Sequence, residues 1–362
     1  MFKKKWFLLL MVSVMMMVVA ACGSKTETAS ETAKTNNGDT SKVPDTVPEN
    51  MVELYQAALK EGELTFWSAT EEAHVQGYAK RFNEMYPGIK INHFVIQPGE
   101  AAQRYITEQS SGNVSVDIMD GSQRFYPALL ERDLVQKFNY KDYGVETTFY
   151  DDRLISHYHL TYPLAYNTTL VKKDELPKTW EELIDPKWKG KIGVETRVGT
   201  LALLAQDWGA EKTLKYLDDV LELDPVILKG GIPTANSVAS GEVAFAIGTY
   251  GFQIELLKKQ GAPIDWVKTE SIPVYNYLSG VLKDAPHPNA AFLFNIWMNS
   301  AEGVKAQEEF KGVGMVTNTE NLSKLGKAWK KAGIEIIIDK EENLEQITKI
   351  TEELTGKVNS LQ

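Results

Sequence analysis

The sequence predicts an α/β protein built from two similar lobes. Between residues 51 and 119, short apolar strands alternate with amphipathic helices, which is typical of a mainly parallel sheet covered on both faces. The alternation restarts near residue 179, and no repeat of fixed period runs along the chain. Roughly 310 residues lie beyond residue 50, a length that accommodates two such lobes.

The elements of the first half follow from caps, periodicity and stop signals. Asn50 has Glu53 three positions on and Gly62 as a stop, which predicts a helix between Asn50 and Gly62. The elements predicted after it are a strand at 64–67, a helix through Tyr78, Phe82 and Met85, a strand at 89–95, a helix at 101–109 and a strand at 116–119.

The second half opens on a capping-box pattern. Thr179-Trp180-Glu181-Glu182 predicts a helix start, and Asp185-Pro186 predicts its end. The later predicted elements are strands at 191–195, 243–247 and 277–282, helices at 201–208, 211–220, 252–259 and 289–298, and a polar helical end after Gly333.

The N-terminus has the three parts of an export signal. Lys3, Lys4 and Lys5 precede an uncharged run from Trp6 to Ala21, which is too short to span a bilayer. Small residues then lead to Cys22, the only cysteine, an ending that resembles the bacterial lipoprotein signal. We expect 1–21 to be removed, Cys22 to carry lipid on the outer face of the cytoplasmic membrane, and the polar segment 22–50 to be a flexible linker.

The expected mature chain is acidic. Removing the three signal lysines from 39 bases, against 49 acidic residues, leaves a net charge of −13. Such a chain has no general attraction for nucleic acid, so an anionic ligand needs a local site. Without a second cysteine, an intrachain disulfide and a thiolate zinc cluster are both excluded.

Several stretches carry a resemblance to a known family. They are 165–168, 176–192 (LPKTWEELIDPKWKGKI), 239–244, 261–264 and 283–291. The chain from Glu63 to about Thr317 resembles the extracellular solute-binding proteins of bacterial ABC importers. The most similar branch contains ferric-ion, thiamine, phosphonate and sugar-phosphate binders. The motif around Trp180 and Trp188 is interpreted as scaffold, a helix cap with an aromatic plug.

The resemblance implies a two-lobed, type II periplasmic-binding-protein-like fold that closes on its ligand about a hinge. The chain would cross between lobes near Leu164–Asn167 and return near Val274–Leu282. Lobe one is then expected to comprise 51–162 and 283–362, and lobe two 163–282. The implied protein is a monomer without enzymatic activity or cofactor, and its partners are a small-molecule ligand, a permease and an ATPase.

Ligands of such sheets bind beyond the carboxyl ends of strands, where helix N-termini offer free N–H groups. This rule and the resemblance select loops in both lobes. The candidate ligand-binding residues are Ser68, Ala69, Thr70, Gly121, Ser122, Tyr162, Arg197, Gly199, Thr200 and Tyr250. Arg197 is the leading candidate because a guanidinium holds carboxylate or phosphate bidentately, although a surface arginine is the alternative. The hydroxyl residues are either ligand donors or simple N-caps.

A ferric site is the alternative within the same family. Ferric-binding members place two adjacent tyrosines where this chain has Tyr250-Gly251, so only one phenol is present. Tyr277, with Tyr162 and Tyr275 near the crossovers, could complete a different cage around Tyr250. A small organic or phosphorylated anion is therefore the preferred ligand.

Other functions rest on weaker patterns. His157-Tyr158-His159 places two imidazoles on one strand face without an evident third metal ligand, which favours a strand-edge or hinge role. An exported hydrolase remains an alternative class, yet the chain lacks a Gly-x-Ser-x-Gly elbow, a His-Glu-x-x-His pair and a phosphate loop. A receptor that reports to a sensor instead of a permease has the same sequence features.

Overall fold

The computed structural model describes residues 43–360. The predicted signal segment, Cys22 and most of the predicted linker lie outside the described residues, so those predictions remain untested. Within 43–360, no helix combines the length and apolarity that a membrane crossing requires.

Twelve β-strands and twelve α-helices form the described part of the chain. The strands are β1 Glu63–Ser68, β2 Lys90–Val95, β3 Ile118–Ser122, β4 Thr148–Phe149, β5 Leu154–Thr161, β6 Ala165–Asn167, β7 Ile192–Glu195, β8 Val226–Leu228, β9 Phe245–Ile247, β10 Ile264–Trp266, β11 Ser271–Val281 and β12 Glu335–Ile338. The helices are α1 Val52–Glu61, α2 Glu72–Met85, α3 Pro98–Ser111, α4 Pro127–Leu130, α5 Gly199–Trp208, α6 Ala210–Leu221, α7 Gly231–Ser240, α8 Gly251–Lys259, α9 Pro288–Asn299, α10 Ala301–Phe310, α11 Lys324–Ala332 and α12 Leu344–Asn359.

Two separate sheets confirm the predicted two-lobed α/β fold. The first has seven strands in the order β2-β1-β3-β11-β5-β4, with β12 also paired to β11. The second has five strands in the order β10-β6-β9-β7-β8. In each sheet the βα units are parallel, as in β1 with β2 and β3, and in β7 with β8 and β9. Lobe one is used below for the elements on the first sheet and lobe two for those on the second.

The chain passes between the sheets through two connections. The first runs from β5 to β6 at residues 162–164, beside the expected crossing at Leu164–Asn167. The second runs from β10 to β11 at residues 267–270. Because β11 pairs with β3 and β5 along most of its length, it belongs to lobe one, and the lobe boundary drawn at residue 282 moves back to about residue 270.

Local structure departs from prediction in several places. After Gly333, where a helical end was predicted, residues 335–338 form strand β12 and the helix α12 begins only at Leu344. The helix predicted from Thr179 consists only of 3₁₀ turns at Glu181–Leu183 and Pro186–Trp188, because the proline follows too soon for an α-helix to form. The linker predicted to reach residue 50 ends earlier. Val47 is buried in the lobe-one core, and the Thr46 hydroxyl donates to the carbonyl oxygen of Met85 at 2.9 Å.

The C-terminal segment, expected to lie in lobe one, contacts both lobes. Strand β12 pairs in parallel with the start of β11 in the first sheet. Helix α12 instead contributes to the apolar core of lobe two and contacts α5 and α6. The α12 side chains in that core are Ile347, Ile350, Leu354 and Val358. The segment therefore forms a third link between the lobes.

Asp339, at the junction of β12 and α12, makes stability depend on pH. Its side chain is 3% exposed, and its Oδ1 accepts a hydrogen bond from the Asn276 N–H at 2.5 Å. Burial raises the pKa of Asp339 to about 7, although the hydrogen bond from Asn276 acts in the opposite direction. The folded state thus binds the proton more tightly than the unfolded chain does, so stability is lost as pH rises from about 4 to 7.

The variant Asp339→Asn is expected to be more stable than the wild type at pH 8 and no more stable at pH 4. The amide keeps an oxygen for the Asn276 N–H and carries no charge to desolvate. Each pKa unit corresponds to about 1.4 kcal/mol, so the gain at pH 8 should reach a few kcal/mol. Melting temperatures between pH 4 and 8 measure this difference, and a gap that stays constant with pH would contradict the explanation.

Candidate functional site

One cavity of about 80 Å³ lies where the two lobes meet. Lobe one contributes residues from β3, β5 and β11, lobe two contributes the loops after β7 and β9, and α12 contributes one side chain. The lining residues are Ser122, Arg124, Leu160, Tyr162, Glu195, Arg197, Gly199, Tyr250, Tyr275, Tyr277 and Thr351. Two guanidinium groups, one carboxylate and four phenols therefore face one small space.

Arg197 is held at the edge of this cavity by two side chains of lobe two. Its Nε donates to Oε1 of Glu195 at 2.8 Å, and its Nη2 donates to the Tyr250 hydroxyl at 2.8 Å. The Glu195 side chain is 3% exposed whereas that of Arg197 is 60% exposed. The carboxylate thus fixes the guanidinium from behind, and donors remain directed to solvent and to the cavity.

The backbone beside Arg197 is strained. Val198 has φ 43° and ψ 28°, a left-handed conformation that a β-branched residue rarely adopts. The strain turns the chain from β7 directly into α5, which starts at Gly199. A Cβ atom on Gly199 would lie 3.1 Å from Cε2 of Tyr275, so glycine lets this ring approach the helix N-terminus.

Four tyrosines form the aromatic part of the wall. The Tyr162 ring meets Tyr250 at 5.4 Å and Tyr275 at 5.7 Å, both edge to face. Tyr275 and Tyr277 are two residues apart on β11 and therefore point to the same face. Burial raises the pKa of Tyr277 to about 12 and that of Tyr162 well above its usual value, so these phenols are neutral at pH 7.

Arg124 brings a second guanidinium from the opposite lobe. It lies in a 3₁₀ turn directly after β3, where its guanidinium carbon is 4.7 Å from the centre of the Phe125 ring. Ser122, also in the cavity wall, ends that strand and pairs in register with Tyr277. The cavity consequently has one arginine on each side of the interlobe cleft.

The structure brings five of the ten predicted binding residues to this cavity and leaves five elsewhere. Those in the wall are Ser122, Tyr162, Arg197, Gly199 and Tyr250, together with Tyr277 of the ferric alternative. Those outside the wall are Ser68, Ala69, Thr70, Gly121 and Thr200. Sequence reasoning did not single out Arg124, Leu160, Glu195 or Thr351. Arg124 lies two residues after Ser122, so a search for basic residues in the selected loops would have identified it.

The predicted loop after β1 is occupied by protein contacts. The Ser68 hydroxyl accepts from the Thr70 N–H at 3.1 Å and lies 2.9 Å from Nε2 of His93. The Thr70 hydroxyl accepts from Nζ of Lys311 at 3.0 Å. Lys311 also lies 3.9 Å from the centre of the Tyr158 ring. These hydroxyls therefore have structural partners. The N-cap of α2 is Glu71, so neither Ser68 nor Thr70 is the helix cap that the sequence offered as the alternative.

The two histidines of the His157-Tyr158-His159 pattern are buried inside the first sheet. Nδ1 of His159 accepts from the Val316 N–H at 3.0 Å, and Nδ1 of His157 lies 3.4 Å from Asp120. Burial lowers the pKa of both imidazoles to about 3. Residues 43–360 contain no group of three His, Cys, Asp or Glu side chains suited to a metal ion. Strand β4 pairs only with Leu154 and Ile155, and beyond it His159 makes an isolated bridge to Gly314. At the two histidines β5 is therefore the outermost strand of the sheet, as the strand-edge interpretation expects, although both imidazoles are buried.

Gly248 is expected to be essential for the position of Glu195 and Arg197. It has φ 96°, and a Cβ atom there would lie 2.3 Å from Cβ of Glu195. Gly248→Ala should therefore combine backbone strain of about 1–3 kcal/mol with displacement of the Glu195–Arg197 pair. We expect a lower melting temperature and weaker solute binding.

Gly261→Ala provides the matched control for that variant. Gly261 has a similar φ of 86°, and a Cβ atom there would have no atom of the described residues within 4 Å beyond its own chain neighbours. It should lose stability through backbone strain alone and keep its solute affinity. Equal affinities for the two variants in a binding titration would contradict the role given to Gly248.

Comparison with known proteins agrees with this architecture. A periplasmic binding protein, AfuA from Actinobacillus pleuropneumoniae with fructose-6-phosphate bound, matches with a TM-score of 0.58 at 22% identity, over 82% of this chain and 97% of that one. Iron-bound HitA from Pseudomonas aeruginosa matches with a TM-score of 0.64 at 20% identity, over 82% and 99% of the chains. The Atu4243-GABA receptor matches with a TM-score of 0.64 at 19% identity, over 81% and 96%. At these identities, the matches establish the fold.

The fold and the interlobe cavity define a two-lobed binding protein of the kind found in ABC transporters. The family profile described as bacterial extracellular solute-binding protein matches residues 67–305. The chain belongs to this family. An uncharacterized protein of Haemophilus influenzae is 30% identical over 154 residues, which are 40% of this chain and 44% of that protein. The chain thus matches less than half of the length of this relative.

Proposed function

We propose that the chain captures a small anionic organic or phosphorylated solute in the interlobe cleft and delivers it to an ABC importer. The observation that carries the proposal is the pair Arg124 and Arg197, which face one cavity from different lobes. Among the described residues of the wall, Glu195 is the only carboxylate, so the cavity holds an excess of one positive charge when the phenols are neutral. An anion compensates this charge and accepts hydrogen bonds from both guanidinium groups.

An anion held by both arginines would also favour the closed arrangement of the lobes. A ligand shifts a hinge equilibrium only by the difference between its affinities for the two states. Contacts from both lobes form together only when the cleft is closed, so they supply that difference. The cavity of about 80 Å³ suits a compact solute, since drug-sized ligands occupy about 300–1,000 Å³. AfuA, which is described with fructose-6-phosphate, is an example of a phosphorylated ligand on this fold.

The proposal includes export and a lipid anchor at Cys22, with residues 23–42 as a tether to the folded body. The solute-loaded monomer would then meet its permease and ATPase at the membrane. Replacing Cys22 with alanine is expected to move the protein from the membrane fraction to the medium or periplasm, because one covalent attachment supplies the anchor. Solute affinity should not change, since the binding residues lie at least 100 positions further along the chain. Immunoblots of cell fractions and a binding titration measure the two effects, and a loss of affinity would contradict this division of roles.

Calorimetric titration against a defined panel tests the binding function. The panel comprises methylphosphonate, glucose 6-phosphate, succinate, thiamine and ferric citrate. We expect heat from at least one phosphorylated or carboxylate compound. A phosphate monoester should bind more tightly at pH 8 than at pH 6, because its second proton leaves near pH 6 while arginine stays charged. Binding of thiamine alone, or of none of the anions, would overturn the proposed solute class.

A ferric ion is the second candidate because Tyr250 and Tyr277 both line the cavity with two further phenols. Phenolate oxygens are hard anionic donors, but the phenols must first lose their protons. Burial raises the pKa values of Tyr277 and Tyr162, which opposes that loss. Ferric affinity should therefore increase with pH and bring a visible phenolate-to-iron absorption band. A coloured complex lost in Tyr250→Phe would favour iron over an organic anion.

A further inference from the structure

The C-terminal helix α12 lies against the same loop that carries Arg197. The Thr355 hydroxyl donates to the carbonyl oxygen of Arg197 at 3.2 Å. Nζ of Lys357 lies 2.6 Å from Oδ1 of Asp218 on α6. The helix is therefore fixed to lobe two at the level of the cleft by polar contacts and by its apolar face.

The start of this segment is fixed to both lobes. The Gln206 side chain of α5 donates to the carbonyl oxygen of Ile338 at 3.2 Å, and its oxygen accepts from Nδ2 of Asn343 at 3.0 Å. On the lobe-one side, the Gln123 side chain donates to the carbonyl oxygen of Asp339 at 2.8 Å. Gln123 adjoins Arg124, so contacts from both arginine-bearing loops hold the C-terminal segment.

Thr351 is the residue through which α12 reaches the cavity. It lines the cavity with Tyr275, although it lies 154 positions after Arg197. Its hydroxyl donates to the carbonyl oxygen of Ile347 at 2.6 Å and also pairs with the Tyr275 phenol, so one oxygen lone pair remains to accept a hydrogen bond. Thr348 makes the same type of bond, to Leu344 at 2.8 Å, but its side chain is exposed to solvent and is not part of the cavity wall.

We propose that α12 is a third wall of the solute cleft and that Thr351 is a solute contact that sets affinity and specificity. This inference rests on the proposed function, because it assigns one more contact in the same cleft. The solute would lie between the guanidinium groups of Arg124 and Arg197, and the Thr351 side chain of α12 would limit the size of solute that fits. A hydroxyl group on the solute could donate a hydrogen bond to the remaining lone pair of the Thr351 oxygen.

Charge-selective labelling tests this wall without a known solute. The only native cysteine is removed by Cys22→Ser, and single Thr351→Cys and Thr348→Cys variants are labelled with an anionic sulfonatoethyl and a cationic trimethylammonioethyl methanethiosulfonate. The guanidinium groups should favour the anionic reagent at position 351, while Glu345 and Glu352 lie within about one helical turn of position 348. We expect the anionic-to-cationic rate ratio to be about tenfold higher at 351 than at 348. Equal ratios in the two variants would overturn the assignment.

A second pair of variants needs no thiol and covers the case in which Thr351→Cys fails to fold. In Thr351→Phe the larger ring should fill the cavity of about 80 Å³ and abolish the heat of binding of the panel anion that the wild type accepts. Thr348→Phe should bind that anion with wild-type affinity. Wild-type binding in both phenylalanine variants would overturn the proposal that α12 is a wall of the solute cleft. If the wild type binds no panel anion, the solute class fails, whereas the labelling ratio still decides whether α12 lines the cleft.

Discussion

Replacing Arg197 with methionine is expected to weaken capture of the anionic solute by about 30-fold to several thousand-fold, which corresponds to about 2–5 kcal/mol. The guanidinium is the charged donor that lobe two offers to the cavity, and methionine provides similar length without charge or N–H groups. Stability should also fall, because the Glu195 side chain is 3% exposed and would lose its 2.8 Å partner. Since the Arg197 side chain is 60% exposed, we expect this loss to be only about 1 kcal/mol.

The double variant Glu195→Gln/Arg197→Met separates these two effects. Neutral glutamine has no charge to leave unpaired, so thermal stability should return towards the wild-type value while binding remains lost. Arg81→Met is the matched control, since Arg81 donates to Glu309 at 2.7 Å on the surface of lobe one and is not part of the cavity lining. Recovery of binding in the double variant would show that Arg197 acts only by neutralising Glu195.

Replacing Trp180 with alanine is expected to destabilise the protein by about 3–5 kcal/mol and to leave the solute affinity of the folded protein unchanged. The ring is fully buried, and its Nε1 donates to the carbonyl oxygen of Ser271, the first residue of β11, at 3.1 Å. Its backbone carbonyl oxygen accepts from the Tyr216 hydroxyl at 2.7 Å. Trp180 therefore joins lobe two to the start of β11 without lining the cavity.

Denaturant unfolding and a binding titration under native conditions measure the two quantities for Trp180→Ala. Trp188→Ala is a useful comparison, because Trp188 packs edge to face on Phe245 at 4.7 Å within lobe two. Both variants should lose stability, and neither should lose affinity. A Trp180 variant that is stable but cannot bind solute would contradict the scaffold role of the motif.

The sequence predicted the architecture because the lobe interiors follow simple periodic rules. The strands β1 and β7 and the helices α2 and α5 have the apolar spacing that their burial requires. Helix α7, Gly231–Ser240, was not predicted, since glycine, proline and serine disfavour helices. Tertiary packing determines this helix instead: Ala235 and Val238 are fully buried, and Gly230 adopts φ 92° before its first residue.

The candidate site was predictable only as far as it depends on strand ends. Ser122, Arg197 and Tyr250 lie at or just after strand ends, so the rule for parallel sheets identifies them. The same rule also selected Thr70, which does not line the cavity. Its hydroxyl accepts from Lys311, a contact between distant residues that the sequence does not show. Thr351 lies within helix α12 and not in a loop that follows a strand, so this rule does not identify it. Its place in the cleft results from the packing of α12 across the lobes, which no local pattern encodes.

Native mass spectrometry of the protein purified from cells tests the central claim most directly, because it weighs what the cleft holds. We predict a small organic or phosphorylated anion bound to the wild type and to Arg81→Met, and absent from Glu195→Gln/Arg197→Met. A ferric adduct that persists in the Arg197 double variant and disappears in Tyr250→Phe would contradict capture of an anion by the two arginines.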